Sequence, residues 1–105
     1  MKYISIFITV PAGTVANKIT NALLEKKLVS CVSVISGLKS VYRWKSKICK
    51  SNERLLIMKS VNENFDRIVE EIKKIHPYEV PEIVAFTIKA NKDYLKWIKE
   101  NVEQK

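Results

Sequence analysis

The period of the apolar positions changes along the chain, and each change marks an element. Residues 3–10 (YISIFITV) are β-branched and aromatic and end at Pro11, which predicts a largely buried strand. Val15, Ile19, Ala22 and Leu23 then fall at i, i+4, i+7 and i+8, the stripe of a helix with Thr14 as N-cap and its end near Leu28. Residues 31–44 (CVSVISGLKSVYRW) read as a strand with a bend or bulge at Ser36-Gly37, and residues 47–59 as its antiparallel partner. A turn at Lys45-Ser46 sets Cys49 opposite Tyr42. Ser60 and Glu63 match a capping box ahead of Phe65, Ile68, Val69, Ile72 and Ile75 on one helical face. After HPYEVP come a strand at 82–89 and a helix at 92–103 with Tyr94, Leu95, Ile98 and Val102 inward; Trp97 also reads as core.

This order is βαβ, hairpin, βαβ, plus one helix. It predicts a single domain over residues 1–105 of the α+β class: a ferredoxin-like split βαβ sandwich, with two helices on one face of a four-stranded antiparallel sheet. The β2-β3 hairpin is overlong and the extra helix is C-terminal. Residues 31–44 reach roughly 46 Å when extended, whereas the first helix covers about 22 Å. The hairpin must therefore overhang its own domain or bend at Gly37 and fold back. An overhanging tip exposes Val41, Tyr42, Trp44 and Ile48, which makes these the expected contacts with a neighbouring subunit.

Composition narrows the classes. With 47% hydrophobic residues the chain can build a core without staples. No apolar run approaches the roughly 20 residues of a membrane span, so no membrane association and a cytoplasmic location are expected. The formal charge is +8, and the run from Arg43 to Arg54 sets cations beside Tyr42 and Trp44, a mixture that also suits single-stranded nucleic acid. The chain has no RNP aromatic motif, however, and nucleic acid is not the favoured partner. Two cysteines and one histidine form no CxxC or HExxH pattern, so neither a disulfide framework nor a closed zinc site is signalled.

The segments LLEKKLVSCVSV (23–34), SVYRWKSKI (40–48) and HPYEVPEI (76–83), with Tyr94 and Trp97 in YLKWI, resemble the CutA divalent-cation-tolerance proteins along essentially the whole chain. The resemblance implies a homotrimer whose long hairpins exchange edge pairing about a three-fold axis. It also implies a part in tolerance of or response to divalent metal ions, copper most often, with no obligatory cofactor and no enzymatic reaction. The hairpin departs from the pattern: Lys45, Ser46, Lys47, Ile48, Cys49, Lys50 and Ser51 stand where the family has a glycine turn and acidic residues. Clustered ammonium groups repel metal ions, which moves any site away from the tip.

Three residues carry the metal chemistry in this reading: His76, Glu79 and Cys31. The resemblance puts them around an intersubunit cleft with Trp44, Lys59 and Tyr78. His76, Cys31 and Lys59 each have a plainer reading: His76 ends the preceding helix before Pro77, Cys31 is a small core side chain, and Lys59 is a solvated lysine at the sheet edge. Extended backbone at Cys31 and Cys49 separates them by roughly 36 Å, far beyond disulfide reach. Metal binding is therefore expected between subunits. The alternative is a regulatory trimer resembling PII proteins, sensing a small anion in the cleft through Lys59. A cysteine nucleophile with His76 as base lacks a third orienting group, so no enzyme is expected.

Overall fold

A computed structural model of the chain describes residues 1–103. The elements run β1 (Tyr3–Pro11), α1 (Val15–Glu25), β2 (Cys31–Trp44), β3 (Lys47–Val61), a 3₁₀ turn (Asn62–Asn64), α2 (Phe65–Ile75), β4 (Ile83–Thr87) and α3 (Lys92–Glu100). The strands form one antiparallel sheet in the order β2-β3-β1-β4. Alternation along β1 turns Ile4, Ile6, Ile8 and Val10 to one face, where they meet Leu56 and Met58 of β3, Ile19 and Leu23 of α1, and Ile68 and Ile72 of α2. Burying each such side chain contributes about 1.5–3 kcal/mol. This core fixes both crossover helices on one face of the sheet.

The first helix ends earlier than its apolar period implies. Lys27 takes a left-handed backbone (φ 56°), Leu28 N–H bonds the Leu23 carbonyl, and Lys27 N–H bonds that of Leu24. These are the two bonds of a Schellman motif, closed by the buried pair Leu23 and Leu28. Leu28 thus keeps the hydrophobic rhythm from outside the helix. The cap at Thr14 sits where expected, without a side-chain hydrogen bond.

The Ser60-Glu63 capping box does not form. Ser60 is still in β3, and its hydroxyl donates to the Leu28 carbonyl at 2.6 Å. The 3₁₀ turn follows, with Asn64 as the cap residue of α2 and its side chain donating to the Glu103 carbonyl at 2.5 Å. β4 and α3 are likewise shorter than expected. Trp97 is not core: it is 41% exposed and stacks on Tyr94 at 5.8 Å, while Ile98 beside it is fully buried. The helical turn carrying Ile98 inward turns its neighbour out.

The β2-β3 hairpin overhangs. Pairing of β1 with β3 stops at Pro11↔Glu53, whereas β2 and β3 continue to Trp44↔Lys47, and the molecule measures 44 × 25 × 22 Å. The turn is at Lys45-Ser46, both with positive φ (49° and 66°), and Tyr42 faces Cys49. One register shift lies between Ile35 and Leu38, where Gly37 has φ 83°. The sheet face away from α1 and α2 carries Phe7 against Phe86 (5.3 Å, edge to face), with Phe86 53% and Ile35 50% exposed.

Candidate functional site

The chemistry gathers where α2 ends. His76 is the C-cap, already extended (φ −67°, ψ 129°), and Pro77 prevents continuation. The imidazole turns back into the protein, 7% exposed, with Nε2 2.8 Å from the Thr9 carbonyl and Nδ1 accepting from Tyr78 N–H at 3.2 Å. A carbonyl only accepts, so this network assigns the proton to Nε2. Both ring nitrogens are therefore engaged within the chain. The next alternate position puts the Tyr78 ring 4.7 Å from the imidazole, on the same side of the connector.

From there the Tyr78 hydroxyl donates to Glu53 Oε2 at 2.6 Å. Burial first, and then the Glu53 carboxylate, hold the Tyr78 phenol far above its ordinary pKa. Glu53 lies at the root of the overhang, opposite both Pro11 and Leu38, and is 5% exposed. No expectation from sequence singled it out. Its signal was slight: one carboxylate inside a basic run.

A groove of about 780 Å³ opens beside these residues, between the hairpin and the 77–82 connector. Tyr42, Trp44, Glu53, Tyr78, Glu79 and Glu82 are among the residues that line it. The structure thus brings Trp44, Tyr78 and Glu79 together. It sets Cys31 and Lys59 elsewhere: they face each other across β2 and β3, with Cys31 Sγ 3.8 Å from the Tyr94 hydroxyl. Along β3, Lys59 is four positions from Leu55, the partner of Thr9, or about 13 Å. Lys59 is also on an interior strand, paired with Ser5 and Cys31, and not at the sheet edge.

The three candidate metal ligands do not converge within one chain. Among the described residues no three His, Cys, Asp or Glu side chains stand close enough to hold an ion. His76 would have to surrender a hydrogen bond to offer a lone pair, whereas Glu79 is exposed and Cys31 partly so. Both cysteines are free thiols. No helix among the described residues is long and apolar enough to cross a membrane.

A four-stranded antiparallel sheet in this order, with two crossover helices on one face, is a ferredoxin-like α+β domain. Residues 4–101 match the CutA1 divalent ion tolerance protein family, and the chain belongs to that family. It is 43% identical to the divalent-cation tolerance protein CutA of Thermus thermophilus, over 91% of this chain and 94% of that protein. The chloroplastic CutA of Arabidopsis thaliana is 34% identical over 93% of this chain, which spans only 54% of that longer protein. Among solved structures, the Thermus thermophilus protein superposes with a TM-score of 0.93 at 41% identity, covering 96% of this chain and 99% of that one. CutA1 from Oryza sativa superposes at 0.95 with 33% identity, covering 100% and 97%.

Proposed function

We propose that the protein works as a homotrimer in divalent-metal tolerance or response, without a reaction of its own, and binds copper or another divalent ion with ligands drawn from more than one subunit. The observation that carries this reading is the uncovered sheet face. Phe86, Val84 and Ile35 lie exposed beside Phe7, and along the overhang Tyr42 and Trp44 are exposed on one face and Val41 and Ile48 on the other. So much exposed apolar surface marks an interface. The family names support the metal, and the lack of a three-ligand group among the described residues of one chain favours ligands from several subunits. Glu79 and Cys31 are the accessible donors, and His76 joins them only by releasing Tyr78 N–H.

Sedimentation equilibrium and copper(II) or zinc(II) calorimetry test both parts together. The expected result is a trimer that Phe86→Glu converts to monomer, with saturable metal binding weakened by Glu79→Gln or Cys31→Ser and lost on dissociation. A wild-type monomer, or metal binding indifferent to all three substitutions, overturns the proposal.

A further inference from the structure

The single imidazole of the chain joins two segments of its own protein. His76 Nε2 donates to the Thr9 carbonyl at 2.8 Å, and Nδ1 accepts Tyr78 N–H at 3.2 Å. A neutral imidazole has one N–H and one lone pair, so these bonds use its whole capacity. Donation from one ring nitrogen to a carbonyl also orients the imidazoles of metal sites, but there the second nitrogen is left for the ion. Here it holds the amide two residues on, under the Tyr78 ring, and the side chain is 7% exposed. Among the described residues no three His, Cys, Asp or Glu side chains gather around it or elsewhere. The donor set at His76 does not fit a metal ion.

What these bonds connect is the body of the domain to the root of its arm. Thr9 lies in β1 just before Pro11, where pairing with β3 stops. Tyr78 carries the tie onward, its hydroxyl on Glu53 at 2.6 Å, and Glu53 is the partner of Pro11 on one side and of Leu38 on the other. Past that row strand pairing continues only between β2 and β3, with Ala12 N–H on the Asn52 carbonyl at 3.3 Å as a last tie to β1. Leu38 is also the first paired residue after the register shift, the irregularity that bends and coils the ribbon. Thr9, His76, Tyr78 and Glu53 therefore form a relay that grips the arm at the row where it departs. Every bond in it lies within one chain and is independent of what covers Tyr42 and Trp44.

We propose that His76 is a positioning residue and not a ligand: it sets Tyr78 on Glu53 and thereby fixes the direction in which the overhanging arm leaves the sheet. A rigid ring with a donor at one end and an acceptor at the other is what the two partners require. In the metal reading this leaves Glu79 and Cys31 as the donors that the chain supplies.

Two measurements on the full chain test this. With one histidine, the long-range proton–nitrogen spectrum of the wild type shows a single imidazole. At neutral pH it should report the Nε2–H tautomer, and both ring nitrogens should keep their shifts when zinc chloride is added. The other tautomer, or a shift of Nδ1 on adding zinc, overturns the proposal. Amide hydrogen exchange in His76→Ala and His76→Asn then reads the arm. Tyr78 and Ala12 amides should exchange about five- to tenfold faster in His76→Ala, relative to amides of α1. His76→Asn keeps an acceptor near the place of Nδ1 and should recover part of the protection at Tyr78. Equal acceleration throughout the domain, as a mere loss of stability produces, overturns the proposal. The imidazole spectrum needs no variant, so it decides even where neither substitution folds. Zinc calorimetry that shows no binding removes the metal reading and leaves this one standing, whereas zinc on the imidazole removes this one alone.

Discussion

Tyr78 and Glu53, 25 residues apart in sequence, are joined by a 2.6 Å hydrogen bond that ties the connector after α2 to the root of the overhanging hairpin. Removing the hydroxyl leaves a buried carboxylate without its donor, which costs about 1–3 kcal/mol. Tyr78→Phe should therefore lower the melting temperature by several degrees, on the order of 4–8 °C per kcal/mol for a domain of this size. Differential scanning calorimetry at neutral pH checks this.

The same phenol gives a signature at high pH. Its folded-state pKa is raised, so the folded protein keeps a proton that the unfolded chain loses above about pH 10. The stability linked to this group is fully present below that pH and falls as pH rises further. Urea unfolding between about pH 9 and 12 should show wild type losing more stability than Tyr78→Phe. Equal slopes would contradict the assignment.

Glu71 provides the acid counterpart. Lys26 of the α1 cap at 2.6 Å and Lys74 at 3.0 Å hold its carboxyl below the usual carboxylate range. A depressed pKa means stability that is present above the unfolded value of about 4.3 and is lost as pH falls through the folded one. Glu71→Gln should flatten the acid limb of the stability profile, and about 0.5 M salt should shrink the difference between variant and wild type.

At the tip, two residues without glycine's freedom occupy left-handed backbone. Each costs about 1–2 kcal/mol, while glycine gives back about 0.5–1 kcal/mol in unfolded-chain entropy. Ser46→Gly should thus stabilise by up to about 1 kcal/mol, read from chemical denaturation, with no change in sedimentation. A loss of stability would mean that Ser46 makes a contact in the assembled protein.

Neighbouring positions on α3 should respond oppositely to truncation. Ile98→Ala opens a cavity and should cost about 2–5 kcal/mol, whereas Trp97→Ala, at a 41% exposed position, should cost under about 1 kcal/mol. Thermal melts of the pair at one protein concentration decide the matter.

What could be read in advance followed from how local each signal was. A two-residue turn makes register a matter of counting, so Tyr42 opposite Cys49 and the overhang were both legible. Leu28 and Ser60 misled because each keeps a local pattern for a tertiary purpose: one staples a helix from beyond a left-handed lysine, the other spends its hydroxyl on the Leu28 carbonyl. Lys27 has no sequence mark of the kind a glycine would supply. Trp44, Tyr78 and Glu79 line one groove, and the Glu53 beside them was passed over. Its burial depends on strand pairing and on a tyrosine 25 residues away, and no local window contains both.

The irregularity between Ile35 and Leu38 adds one residue to β2 alone, since three steps on that strand match two on β3. Deleting Gly37 would leave the pairs from Leu38↔Glu53 outward intact and keep Tyr42 and Trp44 on their present face; only the coiling of the ribbon would change. How far the arm extends and where it aims are therefore separate variables in this chain. Strand length governs the first and a single insertion the second, so a descendant could re-aim its arm toward a differently shaped neighbour without rewriting a single contact residue.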